Sequence, residues 1–380
     1  MYVCGPTVYD STHVGHARTY LYFDVARRFL ETEGTRVRHV MNVTDIEDKI
    51  DRRAADLGIG WKTLARREEK AFFRDLAALR IRLPQHRPRA SEFVGEMAKT
   101  ARTLARTGRV RHENGECLYD APVRRGRENF ATGRELARHA VAERGHPFPS
   151  RGGEHRALQV WKLQEPPLPS WPGPFGAGVP GWHLECVVMA RRFLGLPVDL
   201  HGGGRDLVYP HHYAENEIAL ALDRRPFARA FLHTGFVLQS GQKMSKSIGN
   251  TVPVREALSA TGPDAIRWFL LSRPYPDRVD WDPRAVERAE ALHARTRRAI
   301  VGWLSPGGGG RRGAAGARAL AERIRTDLAR GLRTDRVFPR LASFAEGLDA
   351  DPSGRVARGE RSNALAAIRT VEARTGLVLT

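Results

Sequence analysis

The sequence has few cysteines and lacks long apolar runs. It contains 3 cysteines in 380 residues, Cys4, Cys117 and Cys186, and they lie far apart along the chain. An odd number of scattered cysteines does not indicate a disulfide framework and favours an intracellular protein with buried or metal-binding thiols. No apolar run reaches the roughly 18 residues of a membrane span, and Met1 leads directly into YVCGPTVYD. We therefore expect no membrane segment, no signal peptide and a cytoplasmic location.

Acidic residues are outnumbered by basic ones. The chain has 43 Asp and Glu against 62 Lys and Arg, a formal net charge of +19. Such a surface attracts polyanions, nucleic acid first among them. Nearly all of this charge is arginine, however, and a genome-wide preference for arginine would raise the charge without any ligand.

The order of predicted elements indicates an α/β fold. A short strand in MYVCGPTVYD is followed by a helix that ends near Gly34 and then by the strand-like RVRHVMNV, the opening of a parallel sheet. The pattern changes over residues 82–169. There an amphipathic helix ending at Gly108 and a hairpin with Asn114-Gly115 as its turn precede an Arg- and Pro-rich stretch. We interpret this part as an inserted module.

The α/β pattern resumes after the insertion. GWHLECVVMARRFLG predicts a helix, and PVDLHGGG and RAFLHTGFVL predict strands. The helices DAIRWFLLS and AVERAEALHARTRRAIVGWL follow, then SPGGGGRRGAAG, which is typical of a flexible linker. The remaining residues predict only helices, as in a small bundle.

The first chemical motif is a pair of histidines. His13 and His16 lie one helical turn apart at a strand-to-helix junction, where backbone amides already favour anions and two imidazoles add donors. The plain alternative is a pair of surface histidines that opens a helix.

The second motif is the loop GQKMSKSIGN. Lys243 and Lys246 lie three residues apart among small residues in a chain where lysine is scarce. A lysine on such a loop suits a migrating phosphate charge. An ordinary solvated basic loop is the alternative, and the preference for arginine argues against it.

The third motif combines distant residues. Cys4 ends the first strand, Cys186 lies in GWHLEC, and His211 begins HHYAENE. Two thiolates and an imidazole are ligands that zinc prefers, and a carboxylate can complete the four. Buried inert cysteines and a helix-capping histidine are the alternative.

Together these pieces resemble the cysteinyl-tRNA synthetase family of class I aminoacyl-tRNA synthetases. The resemblance rests on YVCGPTVYDSTHVGHARTY, NVTDIEDKI, PGWHLEC, DLHGGGRDLVYPHH and KMSKSIGN, and it extends from Met1 to about Asp282. His13-Val14-Gly15-His16 is similar to the HIGH signature, and residues 243–247 match KMSKS letter for letter.

The resemblance implies one zinc ion per chain, bound by Cys4, Cys186, His211 and a glutamate, and in contact with the substrate thiol. The family usually reads HHENE, whereas HHYAENE here inserts two residues. Four residues along a helix are about 400°, so Glu215 shares a face with His211 and Glu217 does not. We predict Glu215 as the fourth ligand and keep Glu217 as the alternative.

The resemblance also implies the remaining site residues. His13, His16, Lys243 and Lys246 would be catalytic. ATP, with Mg²⁺, would meet Thr7, His13, Gly15, His16, Gly203, Asp206 and Lys246. The amino acid would meet Gly5, Thr44, Trp182, His183 and His212. Trp182 is equally interpreted as a core aromatic residue, and the glycines of HGGGRD as tight-turn residues.

The implied fold is a Rossmann-like class I catalytic domain with an inserted connective module and a C-terminal α-helical bundle. We predict the first half of the catalytic domain at residues 1–81 and the inserted module at 82–169. The second half, with the zinc site and the KMSKS loop, is predicted at 170–250. A stem-contact region would follow at 251–282 and the bundle at 283–380.

The resemblance implies cysteine–tRNA ligase activity, with ATP, L-cysteine and tRNA(Cys) as partners, in a monomer. Relative to typical members we expect a chain truncated at both ends, without the usual anticodon-reading domain. This keeps an alternative open, the cysteine ligase of mycothiol biosynthesis, which joins cysteine to an aminosugar–inositol. A non-catalytic tRNA- or zinc-binding paralogue is a third interpretation, which the intact motifs oppose.

Overall fold

The computed structural model describes residues 1–122, 127–128, 131–132, 157–246, 248–305, 311–349 and 358–380. The chain divides into two compact units. The first comprises Met1–Ser11, Arg38–Phe72 and Pro84–His233, and the second comprises Thr12–Val37, Phe73–Leu83 and Thr234–Thr380. The five segments predicted from the sequence divide the chain more finely, and they stay predictions.

The described strands are short, and most belong to the first unit. In chain order they are β1 (Tyr2–Val3), β2 (Val40–Met41), β3 (Val110–Glu113), β4 (Glu116–Asp120), β5 (Arg127–Glu128), β6 (Ala131–Thr132), β7 (Ala157–Leu163), β8 (Gly178–Pro180), β9 (Val198–Gly204), β10 (Ala228–Thr234), β11 (Val237–Gln239), β12 (Gln242–Lys243) and β13 (Val279–Asp280).

The described helices are α1 (Val14–Thr32), α2 (Asp48–Asp56), α3 (Trp61–Ala78), α4 (Val94–Ala105), α5 (Trp182–Leu194), α6 (Tyr213–Asp223), α7 (Val254–Ala260), α8 (Pro263–Leu271), α9 (Pro283–Leu304), α10 (Arg311–Ala329), α11 (Thr334–Asp349) and α12 (Arg358–Thr375). Short helical turns lie at Ala90–Glu92, Arg205–Leu207 and Val208–His212.

A sheet of four strands, in the order β10-β9-β1-β2, forms the centre of the first unit. Strand β1 pairs in parallel with both neighbours, Tyr2 with Val40 on one side and with His201 on the other. Both residues of β1 are fully buried, as expected for a parallel strand covered on both faces. Because β1 ends at Val3, the next residue, Cys4, emerges at the carboxyl edge of this sheet.

The first unit contains a second, antiparallel sheet in the order β3-β4-β7-β8. Its first hairpin turns at Asn114 and Gly115, which have φ values of 50° and 78°. Asn-Gly favours this left-handed pair of residues, so the predicted hairpin is confirmed. The predicted Arg- and Pro-rich stretch lies largely outside the described residues.

The second unit is mostly helical. Helices α9 to α12 pack on one another and on α1 and α8, which confirms the expected helical C-terminal part. Helix α9 begins as its sequence indicates, because Asp282 accepts a hydrogen bond from the Arg284 amide at 3.0 Å and Pro283 occupies the first turn. With the parallel sheet of the first unit, these helices confirm the α/β class.

Two predictions about local structure were wrong. RAFLHTGFVL is not one strand: β10 ends at Thr234 and β11 begins at Val237. The strand is interrupted at Gly235. The Gly235 amide donates to Tyr275 O at 2.8 Å, and a Cβ added at this glycine would lie 2.2 Å from Asp277 O. The glycine is therefore needed where two backbone segments meet.

The second wrong prediction concerns the linker. Residues 306–310 lie outside the described part, but RRGAAG is already helical, since α10 begins at Arg311. Gly313 faces Trp303, and a Cβ at this glycine would lie 2.5 Å from Trp303 Nε1. A glycine that the sequence indicated as flexible thus allows close packing. Among the described residues, no helix is both long enough and apolar enough to cross a membrane.

A buried ion pair in the second unit gives a test of this fold. Asp24 Oδ2 accepts from Arg267 at 2.7 Å and from Arg28 at 2.8 Å, and the side chains of Asp24 and Arg267 are fully buried. Burial raises the pKa of Asp24, but the two guanidinium charges outweigh it and lower the pKa. Removing one partner of a buried pair costs about 3–5 kcal/mol, because the other charge stays buried without compensation.

We therefore expect Asp24→Asn to lower the free energy of unfolding by about 3 kcal/mol, measured by urea denaturation followed by circular dichroism. Glu322→Gln removes an exposed carboxylate paired with Arg325 and serves as the control, which should unfold like the wild type. Equal stability of both variants would contradict the importance assigned to the Asp24 pair.

Candidate active site

Four distant residues of the first unit meet in one buried group. Ligand atoms of Cys4, Cys186, His211 and Glu215 all lie within 4.8 Å of one another. His211 Nε2 is 3.5 Å from Cys186 Sγ and 3.0 Å from Glu215 Oε1, and Cys4 Sγ is 3.8 Å from the same carboxylate oxygen. We call these four residues the thiol–carboxylate group. The structure therefore brings together the four residues predicted as metal ligands.

The local fold explains how this group assembles. The Cys4 amide donates to Gly202 O at 3.0 Å, which fixes the end of β1 against β9. Cys186 lies in the second turn of α5, and His211 lies in the helical turn that leads into α6. The helical spacing then places Glu215 on the same face as His211. Glu217 is also buried, but among the described residues it is not part of any group with metal-ligand spacing.

Further histidines surround the group, and two of them were missed by the sequence analysis. His201 Nε2 lies 2.8 Å from Glu215 Oε2, and its Nδ1 donates to Tyr2 O at 3.0 Å. His212 Nε2 is 3.4 Å from Cys4 Sγ, and its Nδ1 is 2.7 Å from Nε2 of His233, the other missed residue. Cys4, His201, His212 and Glu215 form a second set with metal-ligand spacing.

The protonation states of the group are strongly coupled. Burial raises the pKa of Cys186, but the hydrogen bond from Cys4 and the charge of His211 bring it down to about 7. Burial and the nearby Cys186 raise the pKa of the Cys4 thiol well above its ordinary value. For His211, the charges of Glu215 and Cys186 outweigh burial and raise the pKa to about 10.

The pKa of His211 is raised, whereas that of Glu215 is lowered. Burial raises its pKa, but the imidazoles of His211 and His201 outweigh burial and lower it well below the ordinary value. The group thus holds a buried carboxylate and a thiol of lowered pKa beside an imidazole. This is the donor chemistry that Zn²⁺ requires, since its cysteine ligands bind as thiolates. The residues present fit a zinc ion.

The residues predicted to meet the amino acid lie around this group. Trp182 is half-buried and stacks on His211, with ring centroids 4.0 Å apart and planes at 23°. His183 Nδ1 is 2.9 Å from His211 Nδ1. These contacts place the aromatic ring against the thiol–carboxylate group and not in the middle of a hydrophobic core.

Gly5 and Thr44 are joined by a chain of hydrogen bonds. The Gly5 amide donates to Asn42 Oδ1 at 2.9 Å, and Asn42 Nδ2 donates to Thr44 Oγ1 at 3.2 Å. Thr44 Oγ1 donates in turn to Glu185 Oε2 at 3.3 Å. A Cβ at Gly5 would lie 1.7 Å from Asn42 O, so close backbone packing requires glycine here.

Glu185 is a further buried carboxyl group that the sequence did not single out. It precedes Cys186 and is 1% exposed. Burial raises its pKa well above the ordinary value, and the charges of Cys186 and Asp45 raise it further. Its position in GWHLEC was visible, but nothing in the sequence indicated that Thr44 would be its partner.

The histidine pair lies in the second unit. His13 caps α1, and its Nδ1 accepts from the Gly15 amide at 3.2 Å. The rings of His13 and His16 stack with centroids 3.7 Å apart. Burial lowers the pKa of His16 well below its ordinary value, and the charges of His13, Lys246 and Lys243 lower it further. A Cβ at Gly15 would lie 2.8 Å from the His13 ring.

The two lysines also belong to the second unit. Lys243 ends β12, with its Nζ 3.9 Å from the centroid of the Phe236 ring. Lys246 follows in a turn, and both lysines act electrostatically on His16, which places them near the histidine pair. Asn250 holds the loop, because its Nδ2 donates to Lys243 O at 3.1 Å. Ser247 of the KMSKS motif lies outside the described residues.

The other residues predicted to meet ATP lie in the first unit. Thr7 forms a parallel bridge with Thr44, and Asp206 lies in the short helical turn after β9. A Cβ at Gly203 would lie 2.7 Å from Leu207 and 3.6 Å from Cys4 Cβ. The small residue at Gly203 is therefore explained by packing, and its role toward ATP stays a prediction.

Comparison with known proteins agrees with this fold. Residues 1–291 match the family described as tRNA synthetases class I (C) catalytic domain, so the chain belongs to the class I tRNA synthetase family. Within it, a cysteine–tRNA ligase from Thermococcus onnurineus is 43% identical over 296 residues, which are 76% of this chain and 60% of that protein. The chain thus spans less than two thirds of the length of this relative.

A second kind of relative matches over a longer range. An L-cysteine:1D-myo-inositol 2-amino-2-deoxy-α-D-glucopyranoside ligase from Thermobispora bispora is 38% identical over 363 residues, which are 94% of this chain and 87% of that protein. Among solved structures, a Mycobacterium tuberculosis methionyl-tRNA synthetase is similar with a TM-score of 0.65 and 19% identity, over 98% of this chain and 89% of the other. That likeness concerns the fold.

Proposed function

We propose that this protein activates L-cysteine with ATP to cysteinyl adenylate and transfers the cysteine to the 3′ end of tRNA(Cys). The observation that carries the proposal is the thiol–carboxylate group, because two thiols, an imidazole and a carboxylate suit an ion that recognises a thiol substrate. The identity to cysteine–tRNA ligases supports the same amino acid.

The metal ligands in this proposal are Cys4, Cys186, His211 and Glu215, with one Zn²⁺ per chain. When bound, zinc would favour the thiolate form of the substrate cysteine, a bond that the hydroxyl of serine does not reproduce. His201 fits the role of a supporting residue, since it contacts the second oxygen of Glu215 and is itself fixed by Tyr2 O. His212 lies beside Cys4 and would face the substrate.

The amino acid would be oriented by residues that contact the metal ligands. Trp182 covers His211 and offers a flat apolar wall, while His183 fixes the other side of that imidazole. Gly5 and Thr44 belong to the hydrogen-bonded chain that ends at Glu185. Together these contacts would exclude water and hold the thiol in one position.

In the activation step, a carboxylate oxygen of cysteine attacks the α-phosphorus of ATP. The bond from this phosphorus to the bridging oxygen breaks, and pyrophosphate leaves with the electron pair. His13 and His16 would donate hydrogen bonds to phosphate oxygens, and Lys243 and Lys246 would neutralise the departing pyrophosphate. Mg²⁺ is expected to accompany ATP and to offset phosphate charge. Thr7, Gly15, Gly203 and Asp206 are proposed to meet the nucleotide.

In the transfer step, a ribose hydroxyl at the tRNA 3′ end attacks the cysteinyl carbonyl carbon. The bond between this carbon and the phosphate oxygen breaks, AMP leaves with the electron pair, and the hydroxyl proton is released. The net charge of +19 supports a polyanionic acceptor.

One observation favours a second acceptor. The inositol-aminosugar ligase matches 94% of this chain and 87% of its own length, whereas the cysteine–tRNA ligase matches over 60% of its length. The second candidate function is therefore transfer of cysteine from the adenylate to the amine of an aminosugar–inositol. Activation would be the same, and an amide would form in place of an ester.

Amino-acid selection is the first test. Cysteine should support ATP–pyrophosphate exchange, and serine should be slower by roughly 10⁴-fold, because it lacks the thiol that the site is built to bind. Cys186→Ser should lose exchange, whereas Cys117→Ser, the matched change at a buried cysteine outside the thiol–carboxylate group, should keep it. Equal exchange with serine would contradict the proposed recognition of the thiol.

The acceptor is the second test. The protein would be supplied with cysteine and ATP, and then with equal concentrations of tRNA(Cys) and the aminosugar–inositol. We expect labelled cysteine on tRNA, with tRNA binding that weakens steeply as salt rises. Label found only on the aminosugar, with salt-insensitive or undetectable tRNA binding, would replace the first candidate by the second.

The fourth ligand is the third test. Glu215→Gln should reduce zinc affinity by more than roughly tenfold, since a weaker donor replaces the carboxylate. Glu217→Gln is the matched control, equally buried and two residues away, and it should retain zinc. Zinc content after dialysis against a chelator gives the measurement, with circular dichroism to verify folding. The reverse order would reassign the ligand to Glu217.

A further inference from the structure

A separate cavity of about 200 Å³ lies in the first unit. It is lined by residues from the start of α3, from the end of the strand-like segment after β2 and from the loop before β8, among them Asp45, Trp61, Lys62, Arg66, Ser91 and Trp171. None of these residues belongs to the thiol–carboxylate group, the histidine pair or the KMSKS motif. We call it the tryptophan cavity.

Two aromatic rings form its walls. Trp61 and Trp171 meet edge to face, with ring centroids 6.1 Å apart and planes at 71°, and both rings are half-buried. Trp171 is held by paired backbone hydrogen bonds with Gly178, at 2.8 and 2.9 Å. Half-buried tryptophans at a cavity offer flat apolar faces to a ligand and leave the indole N–H groups as donors.

The lining of the cavity includes a buried carboxylate. Asp45 is 4% exposed, and its two oxygens accept from the Ser91 amide at 2.8 Å and from the Ser91 hydroxyl at 2.6 Å. A carboxylate has about four acceptor positions, and the Ser91 contacts together with a bond from the Asp45 backbone amide leave about one for a hydroxyl or amine donor of a ligand. Lys62 and Arg66 are exposed at the rim, and Lys62 Nζ lies 5.4 Å from the centre of the Trp61 ring.

The cavity is next to the proposed amino-acid site. Asp45 directly follows Thr44, whose hydroxyl donates to Glu185, and Glu185 directly precedes Cys186. Asp45 is therefore adjacent in sequence to a residue that we assign to cysteine. An acceptor bound at Asp45 would reach the cysteinyl group from this neighbouring position.

The size of the cavity limits its ligand. Pockets that enclose drug-sized molecules measure roughly 300–1,000 Å³, whereas this one measures about 200 Å³. It can hold a single ring and not a whole nucleotide. Flat aromatic faces beside a carboxylate suit a sugar ring, which has C–H faces for the indoles and hydroxyls or an amine for Asp45.

We propose that the tryptophan cavity binds the sugar ring of the cysteine acceptor, the ring that carries the attacking oxygen or nitrogen. This inference rests on the proposed function. The attacking atom forms its bond to the cysteinyl carbonyl carbon, the bond from that carbon to the phosphate oxygen breaks, AMP leaves with the electron pair, and the attacking atom loses a proton. The terminal ribose of tRNA and an aminosugar both provide such a ring.

Substitution of Trp61 gives the first test. Trp61→Ala should raise the KM for the acceptor about tenfold more than it changes the KM for cysteine in ATP–pyrophosphate exchange, and Trp61→Phe should restore most of the loss. Lys70→Ala, at an exposed lysine of the same helix, is the control and should behave as the wild type in both assays. An unchanged acceptor KM in Trp61→Ala would overturn the proposal.

Small competitors, tested on the wild type, identify the source of the ring. Competition by methyl α-D-glucosaminide against an aminosugar–inositol acceptor would support sugar binding in the cavity and identify the aminosugar as the acceptor. Competition by adenosine against tRNA at saturating ATP would support sugar binding in the cavity and identify tRNA as the acceptor. Absence of competition by both compounds overturns it. A wild-type protein without cysteine-dependent exchange removes the proposed function and this inference together, whereas normal exchange without competition removes the inference alone.

Discussion

A carboxylate buried among imidazoles and thiols is the arrangement on which the first unit depends. Glu215 is fully buried, yet it stays ionised because His211 and His201 each contact one of its oxygens. Taking such a charge out of water costs several kcal/mol unless partners compensate it. The partners come from β9, from the turn before α6 and, through Cys4, from the end of β1. The site thus forms only when the parallel sheet and the helices that carry Cys186, His211 and Glu215 have packed together.

In the second unit, buried polar contacts likewise fix α1, the helix that begins at the histidine pair. Arg18 lies two residues after His16 and donates to the carbonyls of Leu270, Gly235, Asp277 and Pro274. Asp24, two turns further along, is fixed by Arg267. Because both anchors are buried, α1 has little freedom to rotate about its axis. The two stacked imidazoles at its first turn are therefore presented in one orientation, which is what binding of a phosphate requires.

The sequence was informative where chemistry follows from spacing along one helix, and less so where it depends on contacts between segments. The four-residue spacing from His211 predicted that Glu215 would share its face, and the two side chains lie 3.0 Å apart. Such reasoning could not find His201, because its contact with Glu215 depends on how β9 and α6 pack together in three dimensions. The glycine of RRGAAG indicated a linker, but Gly313 packs on Trp303 inside a helix. Composition alone does not reveal that a neighbouring side chain fills the space that a Cβ on the glycine would occupy.

In the proposed reaction, the best-defined groups of the chain would serve activation and not the acceptor. The thiol–carboxylate group would bind the thiol, and the histidine pair and the KMSKS lysines would meet the phosphates of ATP, so all of them would act before any acceptor arrives. A cavity that fits one sugar ring would serve either acceptor equally well. Discrimination must then come from what the rest of the acceptor meets. A tRNA brings a long polyanion to a chain of net charge +19, whereas an inositol brings only hydroxyl groups. The excess of basic over acidic residues is therefore the physical reason for placing tRNA first.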